Sequence, residues 1–265
     1  FYQISCNIKP LMKINVLGTG HMGKQICSLF VVLGHKVNIW HNSSENPDKN
    51  IQNEISKIEK YFNIKFKGDY FIVNNIKDLE NNLTIETVKE DLNVKREVIS
   101  KLSFNNNIFS NTSSLRLSEI GDNINGLHFM NPITIPLIEL CKRNNYTDNL
   151  LSELIQSLNK LSYDIIDVND VGGFVVNRIL FKEISFFFYL YEIEKVSILN
   201  LKKITKILNK NVDPIKIVNM IGLDTCLSIL KNLNKENKDF YVPKILEESI
   251  KNGILGYKNK KLLRI

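Results

Sequence analysis

Lys13 to Leu17 (KINVL) reads as a short buried strand and is followed by Gly18-Thr19-Gly20-His21-Met22-Gly23, and then by helical spacing from Lys24 to Leu33. A GxGxxG pattern alone is weak evidence. One that follows a strand, opens a helix and begins a strand–helix alternation constrains the fold strongly. Each glycine meets a separate demand. Gly18 permits a tight turn, Gly20 lets backbone amides approach a pyrophosphate, and Gly23 lets the helix pack closely on the strand. The N-terminus of that helix offers N–H groups and partial positive charge to phosphates. The functional reading is a dinucleotide-binding turn, with His21 and Met22 inside it. The alternative is an ordinary strand-to-helix connection.

The alternation continues. Lys36 to Trp40 reads as a second strand. From Pro47 to Phe62, Ile51, Ile55, Ile58 and Phe62 recur every three or four positions, which is one face of a helix. Strands are expected at Tyr70–Val73, Leu83–Val88, Ile108–Asn111 and Tyr163–Val168. Helices are expected at Leu92–Leu102 and Leu150–Leu161, and the Asn pairs at 74–75 and 81–82 and the run 105–107 read as loops. This is an α/β pattern, a Rossmann-type doubly wound and mostly parallel sheet. It stops at Asp170-Val171-Gly172-Gly173. Beyond that point only helices are expected: Phe174–Val196, Leu201–Leu208, Ile215–Met220, Thr225–Leu233 and Val242–Asn252. Two domains follow: a dinucleotide-binding domain over 12–171 and an all-helical domain over 172–265. Residues 1–11, ahead of Met12, read as a disordered lead or an expression artefact.

Composition narrows the function. Lys+Arg 35 against Asp+Glu 28 leaves a net charge of +7. The cations are scattered, without a basic stripe interleaved with aromatics, so no nucleic-acid partner is expected. The chain lacks alanine and is rich in Asn, Lys and Ile, a bias that fits AT-rich coding. No run of ~18 apolar residues is free of charge, so no membrane span is expected. Cys6, Cys27, Cys141 and Cys226 form no CxxC pair and show no metal-ligand spacing with histidine. They read as buried reduced thiols of a cytoplasmic protein, with no metal site.

Three further segments carry a resemblance. They are Ser110-Asn111-Thr112-Ser113-Ser114-Leu115, Gly126-Leu127-His128-Phe129-Met130-Asn131-Pro132, and Gly172-Gly173-Phe174-Val175-Val176-Asn177-Arg178. With the glycine turn, in this order and spacing, the chain resembles the L-3-hydroxyacyl-CoA dehydrogenase family from about Lys13 to Asp224. The resemblance implies a nicotinamide-dependent oxidoreductase acting on the 3-hydroxyl of an acyl-CoA, short-chain in the first instance. It also implies a helical domain that dimerises. By motif match, His128 takes the catalytic histidine's place and Glu139 that of its orienting carboxylate. Ser113 and Asn177 match the groups that bond the reacting oxygen. Glu90 and Lys95 match cofactor-side positions, and His41, Asn111 and Asn131 are assigned there with Gly18, Gly20, His21, Met22 and Gly23.

The residue types suit that chemistry. Imidazole is a good base near neutral pH. A carboxylate on its far nitrogen fixes the tautomer and favours the imidazolium form. Hydroxyl and amide groups can donate to an oxygen that develops charge. Plainer readings stand beside these. Glu139 could be a solvated strand-end carboxylate, since the family has one more residue between the His and the Glu. Ser113 could bond local backbone, Lys95 could be a solvated surface lysine, and Asn177 a plain polar position on a helix. His35 has no functional reading.

The sequence also departs from the family. The run Trp40-His41-Asn42-Ser43-Ser44 puts no carboxylate where one is expected for the adenosine ribose; the first is Glu45. Nor is there an arginine to hold a 2′-phosphate, so NAD is the expected cofactor with NADP not excluded. One helix stands between the second and third strands where many members carry a longer pair. Val212-Asp213-Pro214 replaces a Met-Gly-Pro turn, and Gly253-Ile254-Leu255-Gly256-Tyr257-Lys258 begins an ending that then diverges. These departures keep two alternatives open: a dehydrogenase of a non-CoA hydroxy acid, and a dinucleotide-binding protein without turnover.

Overall fold

Strand β1 (Lys13–Leu17) is buried at every position after Lys13. A strand so placed has neighbours on both edges and helices on both faces, so both its faces are buried, and its one polar member past Lys13, Asn15, donates its amide to Glu80 O (2.9 Å) and Thr84 Oγ1 (3.1 Å). In the computed structural model the described residues are 12–42, 46–65, 68–104, 106–143, 149–209 and 213–265. They form two compact units, one ending at Val171 and one spanning Gly172–Ile265. The lead 1–11, Cys6 and the Ser43–Glu45 stretch lie outside the described residues, as does Val212.

In the first unit the order after β1 is α1 (His21–Val32), β2 (Lys36–Trp40), α2 (Asp48–Phe62), β3 (Asp69–Val73), β4 (Leu83–Glu86), α3 (Leu92–Ser100), β5 (Ile108–Ser110), α4 (Leu117–Ile120), β6 (Ile124–Phe129), β7 (Leu137–Cys141), α5 (Asn149–Asn159) and β8 (Asp164–Asp167). The strands form one eight-stranded sheet in the order β3-β2-β1-β4-β5-β6-β7-β8. All pairs are parallel except β6–β7, which is antiparallel. The chain winds outward from β1 toward β3, then restarts at β4 on the other side of β1. Ligands of open α/β sheets bind beyond the carboxyl ends of the strands at such a reversal.

Ile51, Ile55 and Ile58, the expected face of α2, are buried, and Phe62 packs partly against the same core. On the other side of the sheet Leu17, Trp40, Ile76, Leu79 and Val98 form a separate cluster. The strand ends are registered: Leu17 lies opposite Trp40 and also opposite Glu86, and Glu86 opposite Ser110. The carboxyl ends of β2, β1, β4 and β5 therefore form one row. Strands β6 and β7 were not foreseen. They carry His128 and Glu139, and a polar residue in a short run obscures the strand pattern.

The second unit has no strand among the described residues; Gly256 and Lys261 form an isolated bridge. Its helices are α6 (Val176–Glu192), α7 (Ile198–Asn209), α8 (Pro214–Ile221), α9 (Leu223–Glu236) and α10 (Lys244–Lys251). Helix α6 is central: Phe181, Ile184, Ser185 and Phe188 recur at i, i+3, i+4 and i+7 and are all buried. The altered turn works as a cap. Asp213 Oδ1 accepts from the N–H groups of Ile215 (2.9 Å) and Lys216 (3.3 Å), with Pro214 in the first turn. Glu192, at the end of α6, accepts from Ile245 N at 2.8 Å and Lys244 N at 3.0 Å, and so caps α10. The C-terminal segment is clamped by buried Asn219, whose amide donates to Leu263 O (3.1 Å) and accepts from Leu263 N (2.7 Å). Lys258 Nζ donates to Asp224 Oδ1 at 2.7 Å, which ties that ending to the start of α9.

Candidate active site

The glycine turn leaves β1 with Gly18 at φ +106°, a conformation that favours glycine. A Cβ at Gly23 would lie 2.0 Å from Gly18 O and 2.6 Å from Thr87 Oγ1, so helix and strand could not approach as they do. A Cβ at Gly20 would meet nothing within 4 Å. That position therefore faces open space at the N-terminus of α1, whose first turn holds no acid. These features fit the expected pyrophosphate cradle. His21 Nε2 lies 3.1 Å from Asn131 Oδ1 and 2.7 Å from Gln25 Nε2, and Gln25 Oε1 accepts from Ile133 N at 2.8 Å. Buried Gln25, which sequence reasoning passed over, thus fastens α1 to the loop after β6. Met22 is partly buried against the core.

Beneath the exits of β4 and β5 lies a buried ionic cluster. Lys95 is not a solvated lysine: it is 1% exposed. Its Nζ donates to Glu86 Oε1 (2.9 Å) and Oε2 (3.0 Å) and lies 3.2 Å from Glu90 Oε2. Burial alone would lower the Lys95 pKa, but the two carboxylates outweigh it and the net shift is upward. Burial would raise the Glu90 pKa, yet the charge of Lys95 and bonds from Thr112, Ser113 and Ser114 hold it below the usual range. Glu90 Oε1 accepts from Thr112 Oγ1 (2.7 Å), Ser113 N (2.9 Å), Ser114 N (2.8 Å) and Ser114 Oγ (2.9 Å). Ser113 Oγ is 3.4 Å from the same oxygen. Ser110 Oγ donates to Glu86 Oε2 at 2.6 Å. One ammonium and two carboxylates therefore set the shape of the Ser110–Ser114 loop. Glu86 was missed by sequence reasoning; the available signal was an acid closing the apolar run of β4.

Antiparallel pairing of β6 and β7 sets His128 opposite Glu139. His128 Nδ1 lies 2.8 Å from Glu139 Oε2, and both residues are buried. A carboxylate can only accept, so Nδ1 carries the proton and donates it, and the ring lone pair is on Nε2. Glu139 is 1% exposed, which excludes a solvated strand end. Asn111 Oδ1 accepts from Phe129 N at 2.8 Å and ties the β5 exit to the residue after His128. Asn177 stands in the first turn of α6, in the second unit. At the exit of β2, His41 Nε2 lies 3.0 Å from Asn74 Oδ1. Among the described residues no group of acids, histidines and cysteines could hold a metal ion.

A doubly wound sheet with a glycine-rich turn at its reversal, a buried histidine–carboxylate pair and an appended helical unit defines a Rossmann-type nucleotide-dependent protein. The sequence matches the family models for the 3-hydroxyacyl-CoA dehydrogenase NAD binding domain over residues 13–171 and for the C-terminal domain over 173–263. The chain belongs to the 3-hydroxyacyl-CoA dehydrogenase family of oxidoreductases. It is 29% identical to the 3-hydroxybutyryl-CoA dehydrogenase of Clostridioides difficile, over 94% of this chain and 97% of the relative. It is 31% identical to a probable 3-hydroxybutyryl-CoA dehydrogenase of Bacillus subtilis, over 67% of each. The crystal structure of M. tuberculosis FadB2 shares the fold, with a TM-score of 0.77 at 22% identity, over 94% of this chain and 97% of that one.

Proposed function

We propose that this protein oxidises the 3-hydroxyl of a short-chain 3-hydroxyacyl-CoA, with His128 as general base and NAD as acceptor. The observation that carries the reading is the buried His128–Glu139 pair. A nicotinamide held above the row of strand ends would take the hydride from the carbinol carbon. His128 Nε2 takes the hydroxyl proton, and Glu139 steadies the imidazolium that results. Ser113, shaped by Glu90, and Asn177 donate to the reacting oxygen. Gly18, Gly20, His21, Met22, Gly23, His41, Asn111, Asn131, Glu90 and Lys95 form the cofactor side. Among the described residues one helix, α2, stands between β2 and β3, which favours a second reading, a hydroxy acid without CoA.

The protein is further proposed to be a cytoplasmic homodimer. Cys27, Cys141 and Cys226 are unbridged and buried, and burial raises each thiol, to about 11 for Cys141, as suits a reducing compartment. No helix among the described residues is long and apolar enough to cross a membrane. Helix α7 leaves Leu199, Ile204, Ile207 and Leu208 exposed, and α6 leaves Ile179 and Phe186 so. These faces suit a second copy of the chain.

The test is NAD⁺ reduction with 3-hydroxybutyryl-CoA. The His128→Gln variant is expected to lose about 10²-fold or more in kcat, the usual weight of a general base. Equal rates in the two proteins would remove His128 from the mechanism. Turnover of free hydroxy acids, with none of any acyl-CoA, would select the second reading.

A further inference from the structure

Glycine turns of this kind are usually served by a carboxylate at the end of the second strand, which accepts a hydrogen bond from the adenosine ribose 2′-hydroxyl and repels a 2′-phosphate. Here that strand end is Trp40-His41-Asn42. Trp40 is registered opposite Leu17, the residue before the glycine turn, so His41 leaves the sheet beside the turn. Its Nε2 lies 3.0 Å from Asn74 Oδ1. The amide oxygen only accepts, so Nε2 carries the hydrogen and the lone pair is on Nδ1. Nδ1 is buried and has no hydrogen-bond partner among the described residues. A buried acceptor without a donor is uncommon and asks for a reason. The chain thus carries an imidazole where a carboxylate is usual.

We propose that His41, oriented by Asn74, reads the 2′ position of the adenosine ribose, and that this protein accepts both 2′-hydroxyl and 2′-phosphate dinucleotides. The proposal rests on the dinucleotide reading of the glycine turn. A 2′-hydroxyl donates to Nδ1 as it would to a carboxylate. A 2′-phosphate meets no negative charge from His41 or Asn74. His41 is a specificity-determining residue in this account and takes no part in proton transfer at the substrate.

The protein carries one tryptophan, Trp40, adjacent to His41 and 6% exposed. Its fluorescence is a reporter of binding that needs no turnover. Titration with NADH and with NADPH should give dissociation constants within about tenfold of each other. His41→Asp should weaken NADPH by about 30-fold or more relative to NADH, because it restores an anion beside the phosphate. Asn74→Asp, which adds the same charge on the partner residue, should act in the same direction. A wild-type preference for NADH beyond about tenfold overturns the proposal, whatever the variants do. So does a His41→Asp protein that binds both cofactors in the original ratio. If the wild-type protein binds NADH and refuses NADPH, the specificity argument alone falls. If it binds neither, the dinucleotide reading falls with it.

Discussion

Lys95 shows how little a single letter says about its surroundings. A lysine on a nine-residue helix is ordinarily a solvated one, yet this one is buried against Glu86 and Glu90. Removing one partner of a buried pair is strongly destabilising, because a charge is left without compensation. Glu86→Gln is therefore expected to destabilise the first unit by about 3 kcal/mol, at the lower end of the usual range since Glu90 remains. Lys95→Met added to it should recover part of that loss, so the two effects should not sum. Urea unfolding of the two single variants and the double variant measures this. A Glu86→Gln protein within about 0.5 kcal/mol of wild type would show that the cluster does not hold the loop. At this scale the turn at Gly18 to Gly23 and the approach of Glu139 to His128 were legible, because their local context is distinctive. Glu86, Gln25 and Asn74 were not, since each matters through a partner on another element or loop: Lys95 and Ser110, Ile133, and His41.

At the scale of elements the central parallel strands and the helices were readable from apolar runs and three-to-four spacing. Strands β6 and β7 were not. Their polar residues are tolerable only because pairing sets them against one another, and pairing is not a local property. His35, between α1 and β2, is a further case. Its ring is fully buried, and Nε2 lies 2.9 Å from Ser157 Oγ on α5. Burial first, and the charge of Lys160 second, lower its pKa from 6.5 to about 4. The folded value lies below the unfolded one, so the unfolded chain takes up the proton more readily. Stability is then complete above about pH 6.5 and falls until about pH 4, for a total near 3 kcal/mol. His35→Gln should flatten that part of the profile. Thermal unfolding of both proteins at pH 7 and pH 4.5 decides it, and parallel losses in the two would dismiss His35 as the cause.

For the whole molecule, the division into an α/β part and a helical part was written in the change of periodicity near Gly172. Whether a partner covers the exposed apolar residues of α7 was not, because an exposed apolar residue carries no mark of its partner. Helix α7 buries Leu201 but exposes Leu199, Ile204, Ile207 and Leu208. Light scattering after size exclusion should give twice the chain mass for the wild-type protein. Ile207→Glu combined with Leu208→Glu should shift it to the monomer without loss of helicity by circular dichroism. A wild-type mass of a single chain would reject the dimer.

The facing of His128 and Glu139 bears on which lengths the intervening hairpin can tolerate. Successive residues of a strand point to opposite faces, so a one-residue slip along β7 would turn the carboxylate away from the imidazole. The bend from Met130 to Pro136 lies outside both strands, while His128 and Glu139 face each other within the ladder. A change of length confined to that bend should leave the two side chains facing, while one inside either strand should not.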